Sequence, residues 1–467
     1  MHKNTFTRRN IPSNSELSNM KKFREYDQHQ IMLFPPSMHD WIPDDHPAKF
    51  IDEVVGTLDL SAIYESYTES KGYPPYSPVM MVKVLFYAVS KGIHSSRKIE
   101  KALHDDIGFR YLSANQQPDH WTISEFRRRH LKALGDLFVQ SVVLADKAGL
   151  VRLNQIAVDG TKIKASASKH SAMSYARMKK EEDRLTKYIN SYLEEADRID
   201  REEDARYGQG NGWSLPEELS TAEKRREAIR KAMAELEAEA REKAEKEQIA
   251  QKEKAEKKGK QHRPRKTAKA SVPKDKSQRN FTDMESRIMR NSDKAFIQGY
   301  NCQIAVDAET HVIVASDISN QAADVTHLPP VVSQAIANTG RKIKELSADA
   351  GYYSEDNLIF LEEAEIEAFI PPDKVKHSEW REAKPPRGRI PKNANRRYLM
   401  RRKLRTKHGR ARYRLRQTSV EPVFGFIKEQ LKLRQFLHRG LDKVRNYWRF
   451  TCAVVNFMKV YRLSWAK

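Results

Sequence analysis

Between residues 47 and 149 the apolar positions recur at helical spacing, and no stretch alternates as a strand would. Ser77-Pro78 has the form of an N-cap followed by proline at the first helical position. It opens an apolar segment over residues 79–89, with Gly92 as its stop. A second helix is expected from Ser96 to about His104, carrying Arg97, Lys98 and Lys101. Thr122-Ile123-Ser124-Glu125 reads as a capping box. The helix it opens would carry Arg127, Arg128, Arg129 and His130 and run on through Phe138 and Val142 to Gly149. An apolar helix, a turn with glycine and a basic second helix resemble a helix-turn-helix. A plain bundle with a solvated basic face has the same local pattern. Residues 1–150 are thus expected to form an all-α domain, behind a polar lead-in of about 40 residues without a clear pattern.

At Asn154 the period changes. Within Asn154-Gln155-Ile156-Ala157-Val158-Asp159-Gly160-Thr161-Lys162-Ile163-Lys164 a first strand is expected, counted over Asn154 to Val158, with Asp159 on it or at its end, although Asp-Gly between β-prone residues is also a hairpin signal. From residue 172 to 276 the composition shifts to Glu, Lys, Arg and Ala. Leu185, Ile189, Tyr192, Ala196 and Ile199 step by four and three, and after a glycine-rich break at 207–213 so do Ile229, Met233, Leu236 and Ala240. Ser214-Leu215-Pro216-Glu217 is the restart signal between them. Two long antiparallel helices forming an arm are expected, ending in a lysine-rich tether over 252–276.

Period-two alternation returns at 299–307 and again at 312–315. A helix over 326–337 tolerates Pro329 and Pro330 in its first turn. A strand at 343–348, a helix capped by Ser354 and a last strand at 368–370 complete the order β-β-β-α-β-α-β. The last two connections are crossovers and require parallel pairing. This is the order of a ribonuclease-H-like fold with a mixed five-stranded sheet. The catalytic domain would comprise 151–171 and 277–467, interrupted by the 172–276 insertion. A basic run from Arg381 through Arg387, Arg389, Arg396, Arg397 and Arg401 to Arg416, with Tyr398 and Tyr413 interleaved, precedes Ser419-Val420-Glu421-Pro422. There Ser419 reads as an N-cap and Glu421 as the start of a helix. An amphipathic helix over 442–463 closes the chain.

Charge narrows the partner. The 467 residues carry a formal net charge of +22, which points to a polyanion. The longest apolar run, 79–89, is too short to span a bilayer, and the first residues lack a secretory core. Cys302 and Cys452 form neither a ligand pair nor a disulfide framework. A cytoplasmic, reduced protein acting on nucleic acid is expected.

Three acidic stretches lie in surroundings that converge on one point: Val158-Asp159-Gly160-Thr161-Lys162, Ala348-Asp349-Ala350-Gly351-Tyr352-Tyr353, and Val420-Glu421-Pro422-Val423-Phe424-Gly425 with Lys428. Carboxylates that close cannot all stay ionised without a cation between them. Oxygen-only ligation suits Mg²⁺ or Mn²⁺, and two such ions serve phosphoryl transfer. At these residues the chain resembles DDE transposases of bacterial insertion sequences, with an InsH-like helical N-terminal domain. Segments 73–138, 282–307 and 439–459 are similar as well. The resemblance implies Asp159, Asp349 and Glu421 as catalytic, metal-holding acids with two Mg²⁺ (or Mn²⁺) ions. It also implies double-stranded DNA, the element's ends and its target, as partner, a homodimer or higher oligomer on paired ends, and a bacterial, nucleoid-associated location. Some relatives carry Tyr-x2-Arg-x3-Glu-x6-Lys around the glutamate. Tyr413, Arg416, Glu421 and Lys428 approximate it, with one extra residue between Arg416 and Glu421. DNA contacts are expected from Lys428, Arg416 and Tyr413, and from Arg97, Lys98, Arg127 and Arg128 in the helical domain. A nuclease that cleaves without joining strands, and a DNA-binding derivative without catalysis, share these features.

Overall fold

The computed structural model describes residues 37–67, 74–207, 217–256, 272–291, 294–374 and 385–465. The chain divides into a unit ending at Pro43 and a main unit from Asp44 onwards. The described part of the first holds one 3₁₀ turn, Met38–Trp41, capped by the Ser37 side chain. Most of the lead-in, residues 208–213 of the break, 214–216 of the restart, most of the 252–276 tether and Arg381 fall outside the described residues.

Seven helices open the main unit: α1 (Pro47–Thr57), α2 (Ser61–Tyr64), α3 (Pro78–Ser90), α4 (Ser96–Asp105), α5 (Ile107–Leu112), α6 (His120–Arg129) and α7 (Leu131–Lys147). Pro78 begins α3 as expected, and Gly92 ends it at φ +71°. A side chain there would also press on the Gln430 carbonyl, since a Cβ would lie 2.8 Å from it. The third expected start is corrected. Asp119, not Thr122, caps α6, because its carboxylate already accepts the Thr122 amide at 2.7 Å, one residue before the helix begins. Nor does that helix run to Gly149. It stops at His130, buried against Tyr67 and Phe126, and α7 starts afresh.

The sheet contains β1 (Gln155–Lys164), β4 (Arg287–Arg290), β5 (Phe296–Asp307), β6 (Ile313–Ser319), β7 (Glu345–Ala348) and β8 (Glu367–Phe369). A two-stranded ladder pairs β2 (Ala172–Ser174) with β3 (Gln278–Asn280). The strand β1 is central, antiparallel to β5 and parallel to β7, which in turn is parallel to β8. One edge of β5 pairs with β4 near its start and with β6 further on. With the helical region before it, this is a ribonuclease-H-like fold, with six strands where five were expected. The addition is β4, whose Arg-Ile-Met-Arg pattern carries only a weak alternation. Asp159-Gly160 is no hairpin: the strand continues through it, paired with Ile304 and Gln303.

The helical arm interrupts the chain after β1. Its helices, α8 (Tyr175–Tyr207) and α9 (Glu217–Glu256), pack through Tyr175, Met178, Leu185 and Ile189 against Ala222, Ile229, Ala232 and Leu236. They are antiparallel, since Tyr175 bonds Glu237 whereas Glu181 pairs with Arg225. Tyr192, expected in the seam, is exposed, and residues 252–256, expected in the tether, are helical.

Four further helices, α10 (Leu328–Thr339), α11 (Glu355–Glu363), α12 (Arg396–Arg405) and α13 (Lys407–Gly425), precede α14 (Leu441–Val460). Apolar on several sides, α14 lies between the opening helices and the sheet. Phe450 and Phe457 meet Phe86 edge-on at centroid distances of 4.9 and 5.1 Å. The buried Asn456 side chain spans both layers, exchanging two hydrogen bonds with the Ile313 backbone of β6 and donating to Ser141 Oγ of α7. The opening helices therefore share a core with the sheet domain. Expressed alone, residues 1–150 should lack a cooperative thermal transition by circular dichroism, because Phe86, Leu134, Phe138 and Val142 would lose their cover. In the whole chain Phe450→Ala should cost about 3–5 kcal/mol, read from the shift of a denaturant midpoint.

Candidate active site

The central strand carries an acid at its middle. Asp159 lies on β1 opposite Ile304, with its backbone hydrogen-bonded into the sheet and its carboxylate mostly enclosed. This carboxyl is raised to about 6: burial is the largest cause, Asp349 and Asp324 add to it, and the neighbouring Arg416 guanidinium and the Gly160 amide pull the other way. Asp349 follows the last residue of β7, the strand parallel to β1, so the two acids hang from adjacent strands. It caps a 3₁₀ turn and accepts the Gly351 amide at 2.8 Å.

Arg416 reaches in from α13. Its Nη1 donates to Asp159 Oδ2 at 2.6 Å, with the two side chains only 12% and 18% exposed, while its buried Nε finds no hydrogen-bond partner among the described residues. Burial would lower the guanidinium, but Asp159, then Tyr413, Asp349 and Glu421, hold it above its ordinary value. A delocalised cation is thus already drawn in among the acids. The Tyr413 ring lies 6.0 Å from the guanidinium carbon.

Glu421 is placed differently from expectation. It does not begin a helix: α13 runs unbroken from Lys407 to Gly425 with Pro422 inside it. Ser419 is no N-cap, because its hydroxyl is turned back onto the Leu415 carbonyl at 2.6 Å. Thr406 supplies the cap instead, accepting the Gly409 amide at 2.9 Å. Five residues past Arg416, Glu421 comes about 140° around a regular helix from it, and it is exposed. The extra residue noted in the sequence is therefore expressed as an angle. Asp159 and Asp349 are brought together, while Glu421 stands at the margin of the site.

Lys428 also departs from the regular pattern. After Gly425 the chain makes a π turn, Phe426–Gln430, which breaks the α-helical phase between Glu421 and Lys428. Lys428 is half-buried, and its charge is felt by the buried thiol of Cys302 on β5. Gly425 itself faces open space, with nothing within 4 Å of where a Cβ would stand.

On the opening helices the basic residues divide. Arg97 and Lys98 are exposed on α4, whose Ile99 and Leu103 are buried. Arg128 is exposed and held by Glu125 at 2.5 and 2.8 Å. Arg127, expected to meet DNA, is instead buried and donates to the His94 carbonyl at 2.6 Å, where it fastens the α3–α4 turn.

Sequence reasoning passed over a layer of polar residues beside the acids. Asp324, in the loop before α10, accepts Lys162 Nζ at 2.9 Å, Asn301 Nδ2 at 2.7 Å and Gln303 Nε2 at 2.9 Å. The Tyr352 hydroxyl, on the turn that carries Asp349, donates to the other end of the Gln303 amide. Gly160 makes room for this layer: a Cβ there would come within 2.4 Å of Gln303 Nε2. Lys162 and Tyr352 stood in the stretches singled out above, but Asp324, in Gln321-Ala322-Ala323-Asp324-Val325, carried no pattern.

Among the described residues, one trio of ligand-type side chains has its atoms within 4.8 Å of one another: Glu345, Glu367 and His408. It lies at the start of β7, away from Asp349 beyond its end, and Arg412 and Lys403 already neutralise the two glutamates at 3.0 and 2.8 Å. The donors that suit a hard divalent ion are those around Asp159: an enclosed carboxylate, a second acid beside it and a cation already attracted. No described helix is long and apolar enough to cross a membrane.

Two family models match the chain, on either side of the helical arm. Residues 36–129 match a transposase domain (DUF772), and residues 271–457 match a transposase DDE domain. The second includes Asp349 and Glu421, whereas Asp159 and the arm lie outside both. No curated protein and no solved structure matches the chain. With a helical transposase domain before the arm and a DDE domain on a ribonuclease-H-like sheet after it, the chain is a DDE transposase of an insertion element.

Proposed function

We propose that this transposase binds the terminal inverted repeats of its own element, cuts the 3′ strands and joins them to target DNA. Asp159, Asp349 and Glu421 hold the divalent ions in this reading. The observation that carries it is the pairing of Asp159 and Asp349 on adjacent parallel strands around a guanidinium that neither strand supplies. Mg²⁺ or Mn²⁺ bound there would supply Lewis acidity for attack on a phosphodiester and charge stabilisation for the leaving 3′ oxygen.

The chain's own residues do the rest. Arg416 keeps the Asp159 carboxylate ionised and oriented in the free protein. Its planar fork suits a phosphate as well as a carboxylate, so it can turn to the DNA backbone when Asp159 takes another partner. Glu421, exposed on α13, completes the acid set as that helix settles against DNA. Gly425, next to open space, leaves room for a backbone to pass beside Glu421. Arg97, Lys98 and Arg128 supply phosphate contacts from the helical face, Arg128 by exchanging Glu125 for a phosphate.

Asp159→Ala, Asp349→Ala and Glu421→Ala should each abolish cleavage of an end-bearing duplex in Mg²⁺ while gel-shift affinity for that duplex stays near wild type. Cleavage at wild-type rate by any one of them would remove that residue from the site. Joining of the cut strand to a second duplex distinguishes a transposase from a simple nuclease, and it should appear only when element ends are present. Gly425→Leu meets no protein atom within reach of its Cβ, so its melting should match wild type. Its strand joining should fall further than that of Lys428→Ala; equal joining by both variants and wild type would exclude this face as the DNA path. Lys98→Ala and Arg128→Ala should each flatten the salt dependence of DNA binding by about one unit of slope.

A further inference from the structure

One buried ion pair beside the acids has no part in the proposed chemistry. Lys162 Nζ sits 2.9 and 3.3 Å from the two oxygens of Asp324, with the side chains 14% and 22% exposed. Lys162 is three residues from Asp159 on the same strand, so its side chain leaves the opposite face of β1, the face of Asn301 and Gln303, where Asp324 meets it. The Asp324 Oδ1 atom is saturated, taking Lys162, Asn301 and Gln303 together. Its Oδ2 atom looks towards the turn that carries Asp349. Both that oxygen and Asp349 Oδ1 lie within 3.5 Å of the point where a Gly351 Cβ would stand.

We propose that Asp324 is a positioning residue of the acidic site, whose carboxylate holds the Lys162 ammonium off Asp349 so that Asp349, beside Asp159, stays open to a divalent cation. The inference rests on reading Asp159 and Asp349 as metal-holding acids. Lys162 has a flexible stem and a compact charge, and its strand is held there by pairing with β5. Deprived of Asp324, a mostly buried ammonium has to find another anion. The neighbouring anion across Gly351 is Asp349. Asp324 would thus act by occupying a competitor and not by touching substrate.

A purely structural role predicts something else. The same network also ties β1, β5 and the Asp349 turn together through Gln303 and Tyr352, so loosening it could weaken the site without any competition from Lys162. Mn²⁺ titration of the full chain by calorimetry, without DNA, separates the two roles. Asp324→Asn keeps an oxygen for Asn301 and Gln303 but loses the charge, and it should weaken Mn²⁺ binding by about 10-fold or more, the scale of outer partners of metal ligands. Adding Lys162→Met to Asp324→Asn should restore most of that loss, and Lys162→Met alone should bind Mn²⁺ at least as tightly as wild type. A double variant as weak as Asp324→Asn, or weak binding by Lys162→Met alone, overturns the inference. Should Asp324→Asn fail to melt cooperatively, Lys162→Met alone decides by the same criterion. Asp159→Asn is the control. If it binds Mn²⁺ like wild type, the reading of the acids falls and this inference with it. If it loses Mn²⁺ while Asp324→Asn binds normally, only the inference falls.

Discussion

An ionised carboxylate on the central strand of a sheet is costly, and the middle of this structure is arranged around that cost. Asp159 keeps little access to bulk water: its backbone is paired with β5, and the Arg416 side chain of α13 covers its carboxylate. The fold answers with Arg416, brought from a helix more than 250 residues further along the chain, which explains why α13 must be long and must lie where it does. Gln155, at the start of the same strand, bonds the Arg412 carbonyl and so fixes one turn of α13 directly over β1. In the proposed reading the charge that burdens the fold is also what makes the site useful, since an enclosed carboxylate suits a hard cation.

The second constraint is the sharing of α14. An apolar helix that contacts Phe86 on one side and Ile313 on another leaves the opening helices no independent core. The turn after α3 then reaches the segment just beyond Lys428: His94 bonds the Leu431 carbonyl and the Tyr447 hydroxyl, each at 2.5 Å, and Gly92 lies against Gln430. Helices that would meet DNA and the turn that follows Glu421 are therefore mechanically joined. Arg127 belongs to this joint and not to the surface.

Much of the architecture was legible because period and crossover length are local signals. Apart from β4, the β-β-β-α-β-α-β succession, the antiparallel arm, the Ser354 cap and the proline start of α10 all follow from spacing. What was not legible depends on partners distant in sequence. Pro422 reads as a helix start, yet α13 runs through it, because Thr406 has already capped the helix and the Ser419 hydroxyl turns inward. The π turn at Phe426–Gln430 has no sequence mark of its own, so Lys428 leaves the face that regular spacing assigns it. Arg127 looks like its neighbours until a carbonyl 33 residues away claims it. For the site, the two aspartates could be placed from their strands, whereas Asp324 could not, because its importance comes entirely from three donors on two strands.

The arm bears on how such a chain can fold at all. Pairing β1 with β5 requires residues about 140 apart in sequence to meet, and a structureless excursion of that length would slow the search for the register. Here the excursion is zipped. The β2–β3 ladder joins the chain at Ala172–Ser174 to Gln278–Asn280, and Arg279, buried beneath the arm, ties that ladder to Glu235 and Glu239 of the returning helix. Once the two helices have closed on each other, the chain leaves the sheet and re-enters it at nearly the same place. The effective loop between β1 and β4 then shrinks to two short links, 165–171 before the ladder and 281–286 after it. An insertion of a hundred residues is, to the sheet, little longer than an ordinary turn.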